Sequence, residues 1–259
     1  TSSGMTAANL VQSTLNITTP YSRYALNFDG SNDSIALNTS TISFANSFSI
    51  SMWIKPNSLS SFQMLFGGSG YSGGTGIAHY IYNDTVWTYV SSSGTAVAVF
   101  QSSSLLNINE WTHIIIQRNV GVNWEMWING VLEETNSTTQ LALDLTSANS
   151  TIAKHYNSSY NFNGQLSNIS IWNASLSSAQ ITELYNEGKP SNLNSHSAYS
   201  NLVSWWQLGE NSSFDGTNWT VLNEISTGPN GTSANMTESQ LLNGVGTTGN
   251  GLSDGMGGA

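Results

Sequence analysis

The sequence predicts an all-β fold, and three observations predict it. Short alternating or β-branched runs recur from Tyr24 to Ile171, separated by Gly, Asn and Ser clusters about every ten residues. Asn129-Gly130 stands between two of those runs, and a tight hairpin turn needs the two positive φ angles that this pair tolerates. Helical spacing, by contrast, is confined to one short stretch.

Residues 23–28 alternate and open the series. Residues 48–55 place Phe48, Ile50, Met52 and Ile54 on one face and Ser49, Ser51 and Trp53 on the other. Pro56, with no N–H for the ladder, ends that run. Residues 63–66, 78–82, 86–90 and 95–100 follow, then 111–117 and 124–128, the last meeting Val131-Leu132 across Asn129-Gly130. Residues 165–172 close the group. Ser177 with Gln180 three residues on forms a capping box, and Ile181, Leu184 and Tyr185 recur at helical spacing. Gly188 stands at the C′ position and Pro190 blocks continuation, so a short amphipathic helix on the rim of a sheet is expected. Residues 191–200 read as a linker and 202–208 as a further strand. From Gly244 the chain is too poor in core residues to order itself alone.

The 259 residues carry 5 Lys+Arg against 15 Asp+Glu, a formal charge of −10, and no Cys. Five cations cannot neutralise a row of phosphates, which excludes nucleic acid as a partner. No run of eighteen apolar residues exists, so no membrane span is expected. The missing Cys excludes disulfides and thiolate chemistry. Ser (43), Asn (31) and Thr (25) replace the usual Lys/Glu surface, while 9 Trp, 10 Tyr and 8 Phe supply core anchors. Such a surface suits a protein outside the cell. No basic segment followed by an apolar one is visible at the start, so a signal peptide was removed or the protein leaves the cell by another route, such as inside a virus particle.

Tyr24-x-Leu26-x-Phe28-Asp29-Gly30-Ser31-Asn32-Asp33, Phe48 to Pro56 with Trp53 inside it, Trp111-Thr112-His113, Met126 to Val131, Phe162-Asn-Gly164, and the strand and helix Leu166 to Glu187 resemble, in order and spacing, the laminin-G-like, concanavalin A-type jelly-roll modules. Residues 202–210, continuing to Thr232, resemble the segment that leads into such a module, although here it follows. The Asn/Ser/Thr-rich style is similar to laminin-G-like structural proteins of marine bacteriophages. The resemblance implies two antiparallel sheets packed face to face with jelly-roll connections. Phe48, Ile50, Met52, Ile54, Ile114, Ile116, Met126 and Ile128 then belong to the core, and Trp53, Trp111, Trp127 and Trp172 pack rather than bind. The expected organisation is an N-terminal arm (1–20), the jelly-roll module (21–190), a trailing segment (191–243) that adds strands to the sandwich or starts a partial second unit, and a Gly-rich tail (244–259).

This fold hosts lectins and glycoside hydrolases alike, so chemistry decides. Laminarinase-like relatives present two carboxylates as Glu-x-Asp-x-x-Glu, and no Glu of this chain stands in that pattern. The four His lie apart, and a Ser/Asp match means nothing with 43 Ser available, so no triad is expected. The loop Gly67–Gly76 has glycines but no Lys and no following helix, so it does not cradle phosphate.

Two features remain. Asp29, Asn32 and Asp33 crowd one loop with the hard oxygen donors that Ca²⁺ prefers. Related modules add an acidic residue after the Phe-x-Gly strand, where this chain has the neutral Asn168. The competing reading is a plain turn in which Asp and Asn satisfy their own backbone. The second feature is the loop Gly67–Gly76 with Tyr71, His79, Tyr80, Tyr82, Trp87 and Tyr89, aromatics that offer faces to sugar C–H groups beside polar partners. The competing reading makes alternate aromatics core. The expected function is a non-catalytic structural or decoration protein, extracellular or on a virion surface, that assembles with neighbouring subunits, as a homo-oligomer or in a larger particle, and adheres to a host or glycan. A calcium-dependent carbohydrate-binding lectin is the alternative, with a polysaccharide-degrading enzyme a distant third.

Overall fold

The computed structural model describes residues 22–37, 39, 42, 44–67, 75–92, 94–137, 150–155 and 160–245. In chain order the strands are β1 (Tyr24–Asp29), β2 (Ser34–Leu37), β3 (Phe48–Pro56), β4 (Gln63–Gly67), β5 (Gly76–Tyr82), β6 (Thr85–Ser92), β7 (Thr95–Gln101), β8 (Thr112–Asn119) and β9 (Asn123–Ile128). Then come β10 (Val131–Asn136), β11 (Ser150–Ile152), β12 (Asn163–Trp172), helix α1 (Ser178–Tyr185), β13 (Leu202–Trp206), β14 (Ser213–Phe214), β15 (Trp219–Val221), β16 (Gly231–Ala234) and β17 (Leu241–Asn243).

The strands form two antiparallel sheets. Among the described residues, the first has eight strands in the order β10-β9-β8-β3-β12-β1-β17, with β13 also paired to β12. The second has nine, in the order β14-β15-β16-β2-β11-β4-β5-β6-β7. β1 takes the first half of β12 (Asp29 opposite Asn163) and β13 takes the second half (Trp206 opposite Ile169), so residues 202–206 prolong the same edge. β17 lies on β1 and β16 on β2, so the segment after the helix contributes strands to both sheets.

Period-two alternation sends one face of each sheet inward, where the two faces meet in a single core. The eight core residues expected from the sequence are all buried, none more than 6% exposed. β3, however, is buried on its other face too. There Ile115, Trp172 and Trp205 from the first sheet pack against Leu176, Ile181 and Leu184, so the segment 173–201 covers the outer side of that sheet. The helix therefore lies across a sheet face, where a rim position was expected. Trp53 and Trp172 are buried, Trp53 in a three-ring cluster with His113 (4.7 Å) and Tyr185 (5.9 Å), which also meet each other at 6.0 Å, while Trp111 and Trp127 are half-buried.

Local chemistry explains the turns. Asn129 (φ 50°) and Gly130 (φ 78°) join Ile128 to its partner Val131, the two-residue hairpin expected. Ser177 caps α1 through the Gln180 box. The helix stops earlier than Gly188 suggests, because Asn186 (φ 45°) and Glu187 (φ 55°) already take the left-handed region. Gly164, in the Phe-x-Gly strand, is required by space: a Cβ there would lie 2.4 Å from the Lys55 carbonyl oxygen.

Candidate functional site

The outer side of the first sheet is covered by α1 and its flanking turns, whereas the described residues place no helix on the outer face of the second. Register decides what that face carries. Ile77 and Ile81 of β5 and Val86 and Val90 of β6 enter the core, so Ala78, Tyr80, Tyr82, Trp87 and Tyr89 point outward. Tyr80 sits directly opposite Met64 on β4 and Trp87 on β6, and Trp87 sits opposite Gln101 on β7. Phe62, just before β4, lies flat on Tyr80 with ring centroids 4.2 Å apart. Tyr160, distant in sequence, closes on Phe62 at 4.6 Å. Tyr82 completes the group, 6.1 Å from both Phe62 and Trp87.

These rings are held, not loose. The Asn83-Asp84 turn (φ 49° and 60°) closes β5 on β6, and the Trp87 Nε1–H donates to the Tyr82 carbonyl at 3.0 Å and to Thr85 Oγ1 at 2.9 Å. The indole's polar edge is thus spent on the turn and its faces are left apolar. Tyr80 is buried beneath its neighbours, whereas Tyr82 (44%) and Tyr160 (40%) reach solvent. The arrangement is a fixed aromatic surface fringed by neutral polar groups, among them the Gln101 and Asn83 side chains. Such a surface can stack against C–H faces and accept hydroxyl hydrogen bonds.

His79 does not belong to it. One residue out of phase with Tyr80, it turns inward, is fully buried, stacks on Phe66 (6.0 Å) and bonds Thr88 Oγ1 through Nδ1 at 3.1 Å. Burial pushes its imidazole down to about 3, so it is neutral. Tyr71 lies outside the described residues. Phe62 and Tyr160 are the members that sequence reading missed. Both follow a Ser pair (Ser60-Ser61, Ser158-Ser159), a weak signal that only the fold makes legible.

The calcium set is not brought together as expected. Asp29 Oδ1 accepts the N–H of Ser31 (2.7 Å) and of Asn32 (3.3 Å), closing the turn, and Asp33 Oδ2 accepts the N–H of Asp29 (2.9 Å) and the Gln240 amide. Asn168 stands elsewhere. It lies five residues along β12 from Asn163, the partner of Asp29, in a left-handed bulge (φ 48°), and its amide bonds Ser167 (2.8 Å) and the Trp205 indole (3.4 Å). Asp33 is itself buried, its Oδ1 has no hydrogen-bond partner, and desolvation raises its pKa. The described residues contain no group of three or more His, Asp or Glu able to hold a metal ion.

A concavity of about 320 Å³ lies beside the β9–β10 hairpin and is lined by Leu105, Glu110, Trp111, Asn129, Val131 and Glu133, among others. Its carboxylates are anchored locally: Glu133 accepts from Ser103 and Ser104, and Glu110 from Asn107 (2.9 Å). His113, expected to be structural, is buried with its Nε2 2.8 Å from Ser51 Oγ, and burial pushes it too down to about 3.

Comparison with known proteins agrees with the fold. The family model of the concanavalin A-like lectin/glucanases superfamily matches residues 29–182, more than half of the chain, and the chain belongs to that superfamily. No curated protein matches it in sequence. Among solved structures it is similar to a candidate carbohydrate-binding protein from Bacteroides ovatus (TM-score 0.64, 15% identity, 86% of this chain and 60% of that one). It is also similar to the fourth domain of an extracellular arabinanase from Geobacillus stearothermophilus in complex with arabinotriose (TM-score 0.52, 19% identity, 62% and 76%). A third is the CBM40 module of a Ruminococcus gnavus sialidase bound to α2,3-sialyllactose (TM-score 0.51, 12% identity, 62% and 96%). The chain thus spans about three-fifths of the Bacteroides protein. No helix among the described residues is long and apolar enough to cross a membrane.

Proposed function

We propose that this protein is a non-catalytic glycan-binding module working outside the cell, and that the outer face of the second sheet is its binding surface. The observation that carries this reading is the fixed aromatic cluster Phe62, Tyr80, Tyr82, Trp87 and Tyr160. Similarity of fold to proteins described as binding carbohydrate supports it. The test is affinity electrophoresis against soluble polysaccharides. Tyr82→Ala and Trp87→Ala should each lose about 1–3 kcal/mol of binding, by analogy with bases stacked on aromatic side chains, while the fold melts nearly unchanged for exposed Tyr82. Retention of full affinity in both variants contradicts the proposal.

Calcium enters as a second reading, carried by Asp33 Oδ1, a buried acceptor without a partner beside the Asp29 carboxylate. The residues that would hold it are Asp29, Asn32 and Asp33, without Asn168. Repeating the electrophoresis with chelator decides it: calcium-dependent binding vanishes, calcium-independent binding persists. The adhesion role on a secreted or virion surface is compatible with the same face. The assembly role leans on the N-terminal arm and the tail, and residues 1–21 and 246–259 lie outside the described residues.

A further inference from the structure

Resting on the binding face just proposed, we infer that its ligand is a neutral glycan and that the site selects against sialylated, uronic-acid-containing and sulfated chains. The strongest donors for a sugar carboxylate or sulfate are a guanidinium fork or an ammonium. All five cations of this chain fall among the described residues, and four belong to the first sheet or its covering layer. Arg118 is buried on β8, over the Trp124 ring (5.6 Å) and directed at the carbonyls of Phe44 and Ala45. Arg23 lies over Tyr24 (5.7 Å), Lys55 stands opposite Gln165, and Lys189 follows α1. Lys154, just after β11, alone belongs to the second sheet, and one ammonium is a point charge without the bidentate geometry of arginine.

Residues outside the described ones do not change this count. None of them is Lys or Arg. The histidines do not substitute: His79 turns inward and is neutral, and His155 is buried against Tyr160 (5.5 Å). What the face does offer is neutral: the Tyr82 and Tyr160 hydroxyls and the amides of Gln101 and Asn83, which suit hydroxyl groups. The one charge in the β5–β6 turn is Asp84, exposed and of the repelling sign, on a chain of formal charge −10.

The experiment uses the full chain on a printed glycan panel in which each neutral oligosaccharide is paired with its sialylated or sulfated counterpart. Neutral members should bind, with each acidic counterpart at least about tenfold weaker, a difference of about 1.4 kcal/mol. Tyr82→Ala should weaken the neutral members about tenfold or more, Lys154→Gln should leave them within about twofold, and raising salt to about 0.5 M should not weaken them. Acidic members bound as tightly as neutral ones, lost in Tyr82→Ala and weakened by salt or Lys154→Gln, overturn the neutral selection and leave the binding face standing. Glycan binding that ignores Tyr82→Ala, or none to any member, overturns both.

Discussion

His79 and His113 are buried one on each sheet, and desolvation depresses both imidazoles to about 3. In the unfolded chain each titrates near its ordinary value, roughly 6.5. Between those values the unfolded chain binds more protons than the folded one, so stability is complete above roughly pH 6.5 and falls as pH drops towards 3. Each histidine contributes a slope of about 1.4 kcal/mol per pH unit in that window. Urea midpoints between about pH 7 and pH 5 should therefore decline, and His79→Gln should remove one proton's share of the slope; a flat profile contradicts the buried neutral state. The same residue shows what a sequence conveys at this scale. That Tyr80 and Tyr82 share a face follows from alternation, and so does His79 pointing away, yet which face meets solvent is set by the opposing sheet. Phe62 and Tyr160 join through a contact across ninety-eight positions, which no local pattern contains.

Most elements were legible because their causes are local. The Asn129-Gly130 hairpin and the Ser177/Gln180 cap stand as read, since turn type and capping depend on a few neighbouring residues. The C-terminus of α1 was misplaced because Asn186 competes with Gly188 for the left-handed position and wins two residues earlier. β3 reads as half-polar in sequence, but Ser49 and Ser51 are buried by partners far away, Ser49 bonding Gln117 (2.9 Å) and Ser51 bonding His113. Gly164 offers the sharpest test of an element: its φ of 153° and the approach of the Lys55 carbonyl leave no room for a methyl group. Gly164→Ala should cost about 3 kcal/mol or more, read as a lowered urea midpoint with unchanged m-value. A loss below about 1 kcal/mol contradicts the packing of β12 on β3.

The whole molecule is a sandwich whose two outer faces differ in kind. One is roofed by α1 and the turns to residue 201; the other carries exposed aromatics. The segment after the helix feeds both sheets, with Trp206, Leu208 and Val221 in the common core and Trp205 under the helix layer. A chain ending at residue 190 should accordingly lack a cooperative thermal transition; one that melts like the full chain contradicts this dependence. Charge acts at this scale too, since a formal −10 with five dispersed cations repels polyanions at long range. The most direct test is nuclear magnetic resonance mapping of the aromatic side chains while a neutral oligosaccharide from the bound set is titrated in. Ring resonances of Phe62, Tyr82, Trp87 and Tyr160 should shift together and saturate. Shifts confined to Trp111 and the β9–β10 groove, or to the Asp29–Asp33 turn, with those four rings silent, would contradict it.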